Sequence, residues 1–240
     1  MFDIGKFKSA GKLRLKGAVK SCLPVSAIVL VLTALMTVGK SSGGVPGNVT
    51  VSDISSWDFS VFYGFDFPPD PVASVLSIIN FVVTGVLTFA EAKFFLKFSK
   101  MPLTEKPTLR MFIDGFSDWL RGVLGFCWFI LWIVLWSCLF VIPGIIKIFA
   151  YSQTFYILAE YPKMGVRKAM KISVAITRGY KGDLFLLTLS FIGWHILSVL
   201  TLGILRLWVY PYVNLTWAYA YRYLKERALA LGQLHPSDFE

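Results

Sequence analysis

Acid–base, thiol and metal chemistry have little to work with in this chain. Its 240 residues hold two histidines, three cysteines and 14 acidic residues, against 24 Lys and Arg. His195 and His235 are distant in sequence, and His235 sits in a polar tail, so no nucleophile–base pairing is in view. There is no Cys-x-x-Cys spacing for a metal and no phosphate-cradling glycine loop. Cys22, Cys127 and Cys138 all fall in apolar runs. Cys127 and Cys138 lie 11 residues apart on one expected helix, about 16 Å by helical rise and too far to bridge. All three read as small core residues. The expected spans hold no acidic residue, which removes the usual carriers of ion-coupled transport. Glu91 and Glu160 fall at their ends, and Asp114, Asp118 and Asp183 are the nearest approach to interfacial acids. The chain is therefore expected not to be an enzyme and to need no cofactor or metal.

Long apolar runs are what it has instead. With 56% hydrophobic and 16% charged residues, and a mean hydropathy of +0.65, it reads as an integral membrane protein. The net charge of +10 would suggest nucleic acid in a soluble protein, whereas in a membrane it sets orientation. All but three of the bases lie before residue 21, at 91–121, at 160–183 or after 221; Lys40, Lys147 and Arg206 are the exceptions. Residues 41–70 carry Asp53, Asp58, Asp66 and Asp70 and no base. The basic segments, and with them both termini, are expected in the cytoplasm.

The organising stretch is 122–161. Gly122–Ile142 is 21 residues, about 31 Å of helix and enough to cross a hydrocarbon core. Pro143-Gly144 reads as the turn and 145–161 as the return. Around this unit the chain divides into a basic amphipathic segment (1–21), a first hairpin (22–98) with an outer loop (40–70), and an interfacial helix plus second hairpin (99–161). A second interfacial helix plus third hairpin (162–227) and a polar tail (228–240) follow. The run from Cys22 lacks a convincing cleavage site and reads as a retained helix rather than a signal peptide, with Pro24 in its first turn. The outer loop crowds Trp57, Phe59, Phe62, Tyr63, Phe65 and Phe67, as a segment resting on headgroups would. Leu109, Phe112, Ile113, Phe116 and Leu120 recur at helical spacing and predict an interfacial helix.

A shift of 59 residues lays Gly144-Ile145-Ile146-Lys147 over Gly203-Ile204-Leu205-Arg206 and Tyr151 over Tyr210. Lys16-Gly17, Arg121-Gly122 and Lys181-Gly182 each introduce a hairpin. The expected fold is thus an all-α bundle of about six transmembrane helices in three parallel hairpins. The short, Tyr-rich arms 145–161 and 206–221 give the alternative: four full spans plus two re-entrant or partial helices.

Phe140-Val141-Ile142-Pro143-Gly144-Ile145-Ile146-Lys147, Ala150-Tyr151-Ser152 and Tyr156-Ile157-Leu158-Ala159-Glu160 resemble the signature of a bacterial integral-membrane family of unknown function. So do Lys181-Gly182, Leu189-Ser190-Phe191-Ile192-Gly193-Trp194, Leu200-Thr201-Leu202-Gly203-Ile204 and Pro211-Tyr212. The resemblance covers roughly 94–226 and implies a multi-helix protein of a bacterial inner membrane. It brings no activity, substrate or catalytic residue. Candidate contacts for a lipid or solute come from the residues alone. His195 is an ionisable group midway along a span, and Lys147 and Arg206 are cations at equivalent positions past Gly144 and Gly203. The plainer readings are an interhelical hydrogen bond for His195 and outer-headgroup anchors for the two cations. The expected role is an accessory, scaffold or envelope-homeostasis component. Its expected partners are lipids, other membrane proteins or a second copy, and not nucleic acid. The alternative is a transporter-like protein for a lipid or anionic solute using Lys147 and Arg206.

Overall fold

A computed structural model describes residues 2–38, 71–139 and 141–239; the aromatic outer loop expected at 40–70 lies outside them. The chain is 82% helix, with no strand among the described residues. Helix α1 (Ile4–Lys16) starts at Asp3, whose carboxylate accepts from the Lys6 amide at 3.1 Å and so caps the first turn. The chain then bends by 102° into α2 (Val19–Val38), so that Pro24 lies inside this helix rather than in its first turn. Helix α3 (Pro71–Lys100) runs 30 residues. A short α4 (Leu109–Ile113) and a 3-10 turn (Asp114–Asp118) lead into α5 (Trp119–Leu139). Then come α6 (Val141–Tyr151) and α7 (Thr154–Glu160), α8 (Val166–Ile176), α9 (Lys181–Leu189), α10 (Ile192–Leu200) and α11 (Arg206–Ala230).

Three stretches are long and apolar enough to cross a bilayer: Ser74–Lys100, Leu109–Ser137 and Lys181–Leu200. The bent pair α1–α2 is a fourth if it counts as one span. The two return arms do not join them. Helices α6 and α7 are 11 and 7 residues long, and α11 mixes Arg206, Asn214 and several tyrosines into its 25 residues. The crossing stretches meet where side chains are smallest. A Cβ on Gly122 of α5 would stand 2.9 Å from the Phe89 Cβ and 3.0 Å from the Gly85 carbonyl oxygen of α3, an approach that only glycine permits. Phe89, Phe94, Phe95 and Phe98 of α3 fill the core with Phe112, Ile133, Ile157 and Tyr221. Leu124, Leu131 and Leu135 of α5, and Ile196 and Leu200 of α10, face outward.

Packing refines three sequence expectations. The continuous helix expected from Leu109 to Leu120 is broken by its 3-10 turn. There Gly115 sits so close to α3 that a Cβ would come within 2.7 Å of the Ala90 Cα. Met111 and Phe112 turn inward while Ile113 and Leu120 are exposed. The second interfacial helix is α8, whose apolar face buries Ala169, Met170, Ile172, Ser173 and Ile176 against α5, α6, α7 and α11 while Arg167, Lys168 and Lys171 stay exposed. Of the cysteines, Cys22 is buried, but Cys127 is exposed on α5.

Candidate functional site: the charged end of the bundle

Chain segments far apart in sequence return to one end of the bundle, and arginines hold them there. Helix α3 stops at Lys100, just before Pro102, leaving carbonyls of its last turn without intrahelical donors. Arg14, only 3% exposed, reaches across from α1. Its guanidinium donates to the carbonyls of Phe98, Pro102 and Glu105 at 3.3, 2.7 and 3.2 Å and stacks on the Phe98 ring at 4.5 Å. Arg222 of α11 donates to the Ser99 carbonyl at 2.6 Å. At the foot of α5, Arg121 donates to the carbonyls of Tyr161 and Met164 at 3.1 and 2.7 Å and also to that of Pro162. A planar fork of N–H donors suits this work, and its positive charge suits a helix C-terminus.

Glu160, the last residue of α7, joins three helices at this end. Its carboxylate accepts from Lys100 of α3, from Lys225 of α11 at 2.8 Å and from the Tyr221 hydroxyl. Burial pushes this carboxyl up, but the hydrogen bonds from Lys100, Lys225 and Tyr221 outweigh it and hold it below its ordinary value. Tyr221 itself stacks on Tyr156 with ring centroids 5.5 Å apart. Both chain ends lie here too. Phe2 packs on Tyr223 at 5.8 Å, and Phe239 packs on Tyr161 at 4.9 Å. Beside Phe2, a groove of about 250 Å³ opens between α1 and α11, lined by Lys6, Phe7, Tyr219, Arg222, Tyr223 and Glu226.

The candidates named from sequence lie elsewhere and do not come together as one site. Lys147 projects from α6 over the Trp136 ring at 4.4 Å and the Tyr151 ring at 5.7 Å. Among the described residues no hydrogen bond, ion pair or ring contact joins it to Arg206 or His195. His195 is buried in α10, and Arg206 is the charge that bears on it. One turn along α11 from Arg206, Tyr210 stands beside the Glu91 carboxyl of α3. Glu91 directly follows the apolar run of α3, and the helix continues through it to Lys100. Gly203 stands between two helices. With φ of +83° it links α10 to α11, and its amide reaches back to the Ser198 carbonyl at 2.8 Å. Pro143 and Gly144 are not a turn: both sit in the first turn of α6. Gly144 is needed for contact, since a Cβ there would lie 3.2 Å from the Ser137 Cα and closer still to its hydroxyl.

The stretch from α5 to α11 is also what compares with known proteins. Residues 120–228 match the model of a protein family of unknown function, DUF975. The match begins at the start of α5, later than the resemblance drawn from sequence, and takes in Arg121, Glu160, Arg222 and Lys225. It carries no activity with it. No curated protein and no solved structure matches the chain.

Sequence reasoning missed Arg14, Arg121, Arg222 and Glu160. One signal was there: Arg14 is the single arginine among five lysines before residue 21, and a lysine cannot cap three carbonyls at once in a plane. Nothing local marks Glu160, whose partners come from 60 and 65 positions away.

Proposed function

We propose that this is a non-enzymatic component of a bacterial inner membrane that works by binding lipids or other membrane proteins. The observation that carries it is how little of the crossing stretches the chain covers by itself. Only 33%, 33% and 28% of their apolar windows are buried inside the protein, so most of that surface is left for lipid or a partner. Arg14, Arg121, Arg222 and Glu160, meanwhile, hold helix ends together. Six passes in three hairpins agree with the arginine and Glu160 ties, which bring residues 14, 98–105, 121, 160–164 and 222–225 to one end. Their positive charge agrees with a cytoplasmic position for that end and for both termini. Native mass spectrometry of the protein extracted with its surrounding membrane tests the role. A defined lipid or a stoichiometric second protein is the expected result, and a bare, lipid-indifferent chain overturns it. A cysteine replacing exposed Lys163 in a cysteine-free background tests orientation, and labelling it from outside intact cells would reverse the topology.

One observation favours the second reading, a transporter-like protein. Glu91 stands beside Tyr210, and Arg206 bears on both Tyr210 and His195, a gathering of ionisable groups among apolar helices of the kind that marks ion or solute paths. Under that reading Glu91→Gln abolishes a substrate-dependent phenotype while insertion stays normal. Lys147→Gln leaves it intact, because the ammonium is already held by Trp136 and Tyr151.

A further inference from the structure

We propose that the groove between α1 and α11 holds the headgroup of an amine-bearing phospholipid, with Lys6 and Arg222 on the phosphate and Glu226 on the amine. The proposal rests on the lipid-binding reading above and names its ligand.

The groove stands where headgroups are. Helix α1 leaves α2 at 102°, so if α2 crosses the bilayer, α1 runs along its surface, as basic amphipathic helices do. On α11, Arg222 lies 16 residues beyond Arg206, about 24 Å along the helix. That carries it from one side of a hydrocarbon core of about 30 Å towards the other. Tyr219 and Tyr223, which line the groove, are of the type that collects at that depth.

The charges also fit. Tyr219, Arg222, Tyr223 and Glu226 recur at three- and four-residue intervals and so share one face of α11. Arg222 commits one N–H to the Ser99 carbonyl, and a guanidinium has four more to give. Among the described residues the Lys6 ammonium and the Glu226 carboxylate have no hydrogen-bond or ion-pair partner. Two cations and one carboxylate match a phosphodiester joined to an ammonium. A headgroup that is anionic without an amine would satisfy the cations and leave Glu226 facing negative charge. Tyrosine faces beside the carboxylate are a further place for an ammonium. At about 250 Å³ the groove is smaller than sites that enclose a drug-sized ligand, about 300–1,000 Å³, which suits a headgroup whose chains stay in the bilayer.

The test is native mass spectrometry of the full chain in detergent, titrated with phosphatidylethanolamine, phosphatidylglycerol or inorganic phosphate. Wild type is expected to retain one phosphatidylethanolamine in preference to phosphatidylglycerol. Lys6→Ala lowers that retention about tenfold, a change of one charged contact. Glu226→Gln removes the preference between the two lipids, and Lys12→Ala, exposed on α1 outside the groove, changes nothing. Lys6 and Glu226 are exposed, so these variants keep the fold, and unchanged melting temperatures verify it. Equal losses in the Lys6 and Lys12 variants, equal binding of both lipids by wild type, or displacement by inorganic phosphate overturns the proposal. If wild type retains no lipid at all, the broader lipid-binding reading falls with it. Retention that ignores Lys6 sinks only the groove.

Discussion

The stretches 119–160 and 181–230, expected as the second and third hairpins, each contain an interrupted helix, but in opposite arms and mended by different chemistry. In the second, α5 is continuous and the return breaks at Ser152-Gln153, between α6 and α7. In the third, the outgoing arm breaks at Ser190-Phe191 and the return, α11, is continuous. The first break is fully enclosed. The Ala150 carbonyl accepts from the Ser173 and Thr177 hydroxyls at 2.8 and 3.3 Å, and the Gln153 amide donates to Ser173 Oγ at 3.3 Å. Helix α8 thus supplies the donors and acceptor that the helix lost, as backbone at membrane depth demands. The second break lies at the edge, where Lys8 of α1 donates to the Ser190 carbonyl at 2.8 Å. An interruption is tolerated in either arm, provided a neighbour satisfies it. Which neighbour decides how firmly it is held.

The largest effect is expected where the two hairpins are tied to each other. Glu160→Ala leaves Lys100, Lys225 and Tyr221 without their common acceptor in a partly buried site, a loss of about 3 kcal/mol, read by thermal unfolding in detergent. The pH dependence has a definite sign. Because the folded carboxyl is held below its ordinary value, its contribution is complete above the free-glutamate range, about 4.3, and is lost as pH falls through the folded value. Glu160→Gln, which keeps an acceptor for Tyr221, is expected to flatten that acid limb. An unchanged limb would place the acid sensitivity elsewhere.

Next comes the contrast between the breaks. Ser173→Val is expected to cost about 1–3 kcal/mol, because the Ala150 carbonyl and the Gln153 amide stay buried without this partner. Ser190→Val, at an exposed position, is expected within about 0.5 kcal/mol of wild type. Equal effects would mean that enclosure is not what separates the two hairpins.

Two glycines sharpen the comparison further. The 59-residue shift aligns Gly144 with Gly203, yet one is helical and tight against Ser137 while the other is left-handed with open space around it. Gly144→Ala and Gly203→Ala should each lose about 1–2 kcal/mol, the first by overpacking and the second by backbone strain. Adding Ser137→Gly is expected to rescue only the first. Rescue of both, in a double-mutant cycle of melting temperatures, would return the two glycines to one role.

These pairs also show what the sequence could and could not disclose. Apolar run length was enough for α3, α5 and the α9–α10 stretch, since burial in lipid needs only hydropathy and length. The left-handed turn at Gly203 was legible because few residues adopt that conformation. The same reasoning failed at Gly144, where the demand comes from a neighbouring helix rather than from the residue's own backbone. What covers the apolar face of α8 was illegible for a related reason. Val166, Ala169, Met170, Val174 and Ile176 form an apolar face, and such a face looks alike whether lipid or protein covers it. Ser173 and Thr177, polar and on the covered side, were the distinguishing marks. The charged end was hidden because its partners are 40 to 123 positions apart.

The smallest expected effect is at Lys8. Its ammonium bonds the Ser190 carbonyl and lies 4.3 Å from the Phe191 ring centre, two contacts in an exposed place and worth together about 0.5–1 kcal/mol. Lys8→Met keeps the stem and removes the charge, so the melting temperature should barely move. What should change is local. Amides just past the break, Trp194 and His195, bond back to the Phe191 carbonyl, and their hydrogen exchange is expected to rise severalfold in the variant while those of Ile157 and Tyr161, past the enclosed break, stay as in wild type. Faster exchange at both sites would mean that α1 steadies the whole bundle. Faster exchange at neither would mean that the edge break holds without it, leaving the two hairpins alike in the property that separates them here.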